Sequence, residues 1–80
     1  MNCRKITNKE RLTIEDALEY FGTLDLQGGS REERDGKIIY NLCFYHVHLN
    51  PVSPEAKKVG EILKNVLGAD EIWLLGTRIA

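Results

Sequence analysis

The chain has 80 residues, of which 42% are hydrophobic and 29% are charged, and its formal net charge is −1. This length and balance predict one small soluble domain over residues 1–80. No apolar run approaches the ~20 residues that span a bilayer, and no signal-peptide core follows the charged N-terminus. Two cysteines, Cys3 and Cys43, are too few for a secreted disulfide framework. We therefore expect a cytoplasmic protein that does not enter a membrane.

The charge is distributed unevenly along the chain. Residues 1–11 carry four basic side chains and one acidic one, a local charge of +3, whereas residues 12–36 carry seven acidic and two basic ones, a local charge of −5. A nucleic-acid binder needs a basic face that displaces counterions from phosphate. The profile therefore argues against a nucleic-acid partner, and we interpret residues 1–11 as a loosely ordered basic segment.

The first half of the chain predicts a weak strand, a helix and a second strand. Residues 1–8 have weak strand character. Residues 13–21 predict a helix, because Thr13 can cap its N-terminus and the apolar residues follow the i, i+3, i+4, i+7 spacing of one buried stripe. Residues 23–27 alternate between apolar and polar, as in a strand with one wet face. The glycines and charges of residues 28–36 predict a mobile hairpin arm.

The second half predicts a long strand, a helix and a final strand. Residues 37–49 form the longest strand pattern. Residues 54–67 predict a helix that Ser53 caps, that Pro54 begins and that Gly68 ends. Residues 71–78 close the chain as a strand.

The element order (β)αββαβ predicts an α+β fold. It is the order of the ferredoxin-like two-layer sandwich, in which an antiparallel sheet carries two helices on one face. If residues 2–7 are not a strand, the sheet has three strands and the same two helices.

Two strands carry more large side chains than one layer of helices can cover. In residues 37–49 both alternating rows are largely apolar, and in the last strand Trp73 and Leu75 share the side opposite to Ile72. A bulge near Phe44 could turn both rows inward; otherwise another molecule covers the second face. That molecule is a second copy of the chain, a larger protein, or both, and it can also pair with the unprotected edge at residues 71–77. The predicted partner-binding residues are Trp73, Tyr45, Leu75, Val47 and Tyr40.

The histidine pair His46 and His48 is a candidate metal site. Residues i and i+2 of a strand lie on one side, so both imidazoles can reach one divalent cation such as zinc. The segment His46-Val47-His48 resembles the motif of the HUH nickases, in which such a pair binds a metal, although the helix at 54–67 has no tyrosine nucleophile. It is also similar to the histidine-triad hydrolases, whose third histidine is here Asn50. We assign the chain to neither family, and rim histidines that face solvent are the alternative.

The sequence thus favours a small non-enzymatic protein-interaction module, such as a subunit, a regulator or an inhibitor, with no cofactor. The alternative is a metal-dependent nuclease or hydrolase that uses the histidine pair. A weaker alternative is binding of RNA or single-stranded DNA on the sheet face, where Tyr40, Phe44, Tyr45 or Trp73 could stack on bases.

Overall fold

A computed structural model describes residues 2–19, 25–45 and 50–80. Within these ranges the chain is a mixed α+β protein with five strands and two helices. In chain order the elements are β1 (Asn2–Lys5), α1 (Asn8–Ala17), β2 (Asp25–Arg34), β3 (Lys37–Tyr45), α2 (Pro54–Leu67), β4 (Glu71–Leu74) and β5 (Thr77–Arg78). The radius of gyration of the Cα atoms is 11.5 Å, which is the compactness expected of one small domain.

The strands lie in the sheet in their chain order, β1-β2-β3-β4-β5. The pairs β1–β2, β2–β3 and β4–β5 are antiparallel, but β3 and β4 are parallel. The prediction of an entirely antiparallel sheet is therefore wrong for the pair β3–β4, and the ferredoxin-like strand order is not confirmed. The reason is that α2 connects two neighbouring strands as a βαβ unit, whereas a split unit would leave room for a third strand between them.

Strand β2 is longer than the sequence predicted. Residues 28–34, which we expected in a mobile hairpin arm, pair with β3 on one side, and residues 30–33 also pair with β1 on the other. The hairpin turn is only Asp35 and Gly36, whose φ angles of 52° and 77° suit a tight two-residue turn. The expectation failed because residues 30–34 are polar on both sides of the strand, so no apolar alternation marks them.

Helix α1 begins earlier than predicted, at Asn8 rather than at residue 13. Thr7 is its N-cap: the Thr7 hydroxyl accepts from the backbone N–H of Glu10, and the Glu10 carboxylate accepts from the backbone N–H of Thr7. This reciprocal pair is a capping box, which ends the basic segment that we expected to be loosely ordered. Thr13, the predicted cap, lies inside the helix and donates its hydroxyl to the carbonyl of Lys9.

Helix α2 confirms its predicted bounds. The Ser53 hydroxyl accepts from the N–H of Ala56, and Gly68 ends the helix in the left-handed conformation with φ 64°. The middle of the helix approaches the end of the chain closely, since a Cβ at Gly60 would lie 2.8 Å from Cβ of Ala80. Glycine at this position therefore lets the chain end pack against the helix.

Both helices pack on the same face of the sheet. They enclose one core of buried side chains, to which α1 and the residue after it contribute Ile14 and Leu18, and α2 contributes Val59 and Leu63. The strands supply the remaining large members, namely Leu26, Tyr40, Leu42, Phe44, Ile72 and Leu74. The even-numbered rows of β3 and β4 thus face the helices, and the odd-numbered rows face the side that no described helix covers.

Candidate interaction surface

The sheet face opposite to the helices, hereafter the open face, is assembled from all five strands. Cross-strand register aligns Glu32 with Ile39 and Ser30 with Asn41 on β2 and β3, and aligns Asn41 with Trp73 on β3 and β4. Directly opposed residues share a face, so these side chains are neighbours. By the same register the open face comprises Cys3, Lys5, Gly28, Ser30, Glu32, Arg34, Lys37, Ile39, Asn41, Cys43, Glu71, Trp73 and Arg78.

Among the described residues, the open face carries both apolar and charged side chains. The described β3 residues keep one orientation, and the irregularity in the sheet lies in β2, between Leu26 and Gly28. The even row of β3 therefore stays in the core as far as Phe44, and of the two alternatives the bulge in β3 is not found within residues 37–45. Of the odd row, Ile39 and Cys43 are half-buried and Asn41 is exposed. The result is a mixed surface with apolar patches between charged side chains.

Trp73 is the largest side chain on the open face. It is half-buried, and its indole Nε1–H donates to Oε1 of Glu71 at 2.9 Å. The same carboxylate oxygen lies 4.0 Å from Nε of Arg78, which is directly opposite Trp73 on β5. The indole, followed by the cation of Arg78, holds the pKa of Glu71 below its ordinary value. The ring is therefore held in place by a polar partner while part of its surface remains accessible.

A shallow depression of about 190 Å³ lies beside Trp73. Its lining comes only from the open face: Ser30, Glu32, Arg34, Ile39, Asn41 and Trp73. Arg34 and Glu32 form an ion pair at 2.6 Å along one side. The depression is smaller than the ~300–1,000 Å³ of typical small-molecule sites, so it suits a single side chain of a partner better than a cofactor.

The predicted edge at residues 71–77 is not an edge. After Leu74 the chain turns at Leu75 and Gly76 and returns as β5, which pairs with β4. Within the described sheet the outermost strands are therefore β1 and β5. The sequence signal for the turn is a single glycine, Gly76. We predicted one continuous strand instead, because the residues before Gly76 are apolar.

Leu75 occupies a conformation that does not suit it. It is the first residue of the β4–β5 turn, its φ is 50°, and 56% of its surface is exposed. Such turns prefer Asn, Asp or Gly at this position, and Asp35 fills it in the β2–β3 turn. An exposed leucine in a left-handed conformation contributes little to the fold, so its presence calls for another explanation.

Tyr40 is separated from the other predicted partner-binding residues. It lies on the helix side of β3, is only 3% exposed, and donates its hydroxyl to Oε2 of Glu10. Glu10 also accepts two hydrogen bonds from Arg4, at 2.7 and 3.2 Å. The prediction of Tyr40 as a partner contact is therefore not supported by its position. Sequence reasoning missed this network, although the Thr7-x-x-Glu10 spacing of a capping box was present.

The network changes the acidity of its members. Arg4 is the main reason that the pKa of Glu10 falls from 4.5 to about 2; burial opposes this change, and the hydroxyl of Tyr40 and the backbone of Thr7 add to it. Burial and the Glu10 carboxylate raise the pKa of Tyr40. At neutral pH these shifts favour a charged Glu10 and a protonated Tyr40, as in a structural ion pair.

The remaining predicted residues lie at or beyond the end of the described part of β3. His46, Val47 and His48 lie outside the described residues, and so does the side chain of Tyr45, which ends β3. The described residues contain no cluster of three or more potential metal ligands. The metal site thus stays a prediction from the spacing of the two histidines. Cys3 and Cys43 are free thiols.

Comparisons with protein-family models, curated proteins and solved structures found no match. No helix within the described residues is long and apolar enough to cross a membrane. Any functional inference for this chain therefore rests on its own surface.

Proposed function

We propose that the chain is a small cytoplasmic, non-enzymatic protein-interaction module, such as a subunit, a regulator or an inhibitor, that binds its partner through the open face. The observation that carries this proposal is the position of Trp73. It is a large aromatic side chain on β4, between the central strand β3 and the short edge strand β5, on the face that no described helix covers. Tryptophan is among the residues that contribute most to binding when a partner buries them.

The composition of the open face supports a reversible interaction. Non-obligate interfaces are about as apolar as ordinary protein surface and surround a buried aromatic anchor with a polar rim. Trp73 and Ile39 would be such an anchor, and Arg34, Glu71 and Arg78 would belong to the rim. With strands ~4.8 Å apart and ~3.3 Å per residue, the face measures roughly 500 Å². Two copies would bury about 1,000 Å², the lower limit for a specific interface.

Leu75 adds a second line of support. Its exposed side chain lies two residues after Trp73, at a position where asparagine would relieve backbone strain. Leu75→Asn should therefore raise the stability of the free chain by roughly 0.5–1 kcal/mol. If Leu75 contacts the partner, the same substitution weakens association. Stability and binding would then change in opposite directions.

Sedimentation velocity over a range of protein concentrations tests the homodimer. Trp73→Ala should shift the mass distribution towards the monomer, whereas Val66→Ala, which alters an exposed side chain of α2, should not. Since Trp73 is the only tryptophan, a blue shift of its emission with concentration would independently report burial of the open face. A monomer at all concentrations would rule out the second copy.

A larger partner is tested by photocrosslinking inside the producing cell. A photoreactive residue at position 39, on the open face, should form one defined adduct, and the same residue at position 57, on the exposed side of α2, should not. If the chain is monomeric and position 39 yields no adduct, the proposal is wrong.

The nucleic-acid alternative receives less support. Of its four candidate stacking residues, Tyr40 and Phe44 are 3% and 5% exposed, beneath the helices. Two of the four are therefore unavailable for stacking on the open face, where Trp73 lies, and sheet-type RNA binders stack two or three bases.

A further inference from the structure

We propose that the free edge of strand β1 is a second docking site, distinct from the surface around Trp73, which binds an extended acidic peptide segment as an additional strand of the sheet. This inference does not depend on the surface around Trp73. It rests on the free hydrogen-bonding edge of β1 and on the basic side chains around that edge.

The outer side of β1 offers backbone groups in the orientation that a new strand requires. Ile6, which follows β1, donates its N–H to the carbonyl of Gly29 on β2 at 3.0 Å. Successive residues of an antiparallel pair alternate between facing the neighbouring strand and facing away from it. The N–H groups of Lys5 and Cys3 therefore point away from β2. All four residues of β1 are exposed.

One of the outward carbonyls already has a partner. The Lys5 carbonyl accepts from Nη1 of Arg4 at 3.0 Å. The outward N–H and C=O of Cys3 and the outward N–H of Lys5 have no backbone partner within the described part of the chain. A peptide running beside β1 can therefore form main-chain hydrogen bonds without breaking any ladder of the sheet.

Two depressions flank β1 and give the site a chemical preference. The first, of about 430 Å³, is lined by Asn2, Cys3, Arg4, Arg31 and Glu33. The second, of about 320 Å³, is lined by Lys5, Ile6, Arg11, Gln27, Gly28 and Gly29. In strand addition the main chain supplies affinity, and pockets for alternate side chains supply specificity.

The charges of these depressions favour carboxylates. In the first depression Arg31 already pairs with Glu33 at 2.8 Å, and Arg4 pairs with Glu10. In the second depression no carboxylate is present, and neither Lys5 nor Arg11 forms an ion pair among the described residues. An acidic side chain of the peptide would therefore bind most favourably beside Lys5 and Arg11. Two copies of β1 would instead bring basic side chains together, which disfavours a second copy as the occupant.

The test begins with a displayed library of random linear peptides that is selected on the intact chain. We expect the enriched peptides to carry an excess of Asp and Glu. Their affinity, measured by fluorescence anisotropy, should fall about tenfold or more for Lys5→Pro, which removes one outward N–H but no hydrogen bond of the fold. Lys5→Glu should weaken binding similarly, and the matched reversal Lys58→Glu on α2 should leave it unchanged.

Hydrogen exchange on the unaltered chain gives a readout that does not depend on the folding of a variant. Addition of an enriched peptide should slow exchange at the amides of Cys3 and Lys5 and leave the Ile6 amide, which already donates to Gly29, little changed. The proposal is overturned if no peptide is enriched, if the enriched peptides are not acidic, or if they protect amides elsewhere but not in β1.

Discussion

Replacing Glu10 with glutamine would test how much of the stability depends on the network between β1, α1 and β3. The carboxylate accepts from Arg4, from the N–H of Thr7 and from the hydroxyl of Tyr40. Glutamine keeps the shape and one carbonyl oxygen, and it is also accepted at this position of a capping box. Glu10→Gln therefore removes the negative charge while it can retain the helix cap.

The expected magnitude follows from the acidity of the carboxyl group. A pKa of about 2 in place of 4.5 corresponds to ~3 kcal/mol at ~1.4 kcal/mol per pH unit. Glu10 is 14% exposed, but its partner Arg4 is 47% exposed, so solvent screens the pair. We therefore expect Glu10→Gln to lower the free energy of unfolding by ~1–2 kcal/mol at neutral pH. This corresponds to a fall of roughly 5–15 °C in Tm for a domain of this size.

The pH dependence identifies the charge as the cause. Because the folded-state pKa of Glu10 lies below its ordinary value, its contribution is complete above about pH 4.5 and is lost as the pH falls towards about 2. Urea unfolding followed by circular dichroism should be measured at several pH values. The free energies of unfolding of the unaltered chain and of Glu10→Gln should become equal as the pH falls through that interval. Glu61→Gln, the same chemical change on the exposed side of α2, is the control. Its free energy of unfolding should depend on pH in the same way as that of the unaltered chain. If the Glu10→Gln difference stayed constant from pH 7 to pH 2, the ion pair would not be its source.

Three further substitutions address close packing and the unplaced histidines. Gly29→Ala should destabilise the chain by ~1–3 kcal/mol in urea unfolding, because its Cβ would lie 2.8 Å from the backbone oxygen of Asn41. Gly60→Ala should improve helix propensity by up to ~1 kcal/mol, but its Cβ would lie 3.0 Å from Cγ1 of Ile79. We expect the end of the chain to detach, which faster hydrogen exchange at the Ile79 amide would report. The histidine spacing predicts zinc binding that His46→Ala abolishes, measured by calorimetry on the purified chain.

The two glycine substitutions have matched controls, and the zinc prediction has a contrary outcome. Gln27→Ala, two residues before Gly29 and exposed, should have little effect on the free energy of unfolding. If both substitutions lowered it equally, strand propensity rather than the contact with the Asn41 backbone would be the cause. Asn65→Ala, on the exposed side of α2, should raise helix propensity without affecting the end of the chain. It therefore separates the effect of propensity from the effect of the contact between position 60 and Ile79. A chain that binds no zinc, or binds it equally well after His46→Ala, would remove the support for the metal-dependent alternative.

The helices show which local signals were sufficient. The bounds of α2 could be predicted because Ser53, Pro54 and Gly68 mark its ends unambiguously. The start of α1 was misplaced because the prediction followed the buried stripe, whose first residue is Ile14. Residues 8–13 are mostly polar, their one large apolar side chain, Leu12, is exposed, and the marker of the helix start is the capping box between Thr7 and Glu10.

The strands show what local signals leave open. Both rows of β3 are rich in apolar residues, so periodicity alone could not say which row enters the core. Asn41 could have decided the question, because burying an unpaired side-chain amide is costly and its row should therefore face away from the core. The structure places that row on the open face. The polar half of β2 could not be predicted locally, because pairing with β1 and β3 rather than burial holds it in place.

If the proposed function is correct, stability and binding depend on opposite sides of one sheet. The large side chains of the even rows of β3 and β4 lie on the helix side, and so does the polar network of Glu10. Trp73, Ile39 and the edge of β1 have exposed surface. Substitutions on the open face should therefore change association with little change in the free energy of unfolding, and substitutions such as Glu10→Gln should do the reverse. If Trp73→Ala destabilised the free monomer as strongly as a core truncation, by ~3–5 kcal/mol, the open face would be part of the fold rather than a surface kept for a partner.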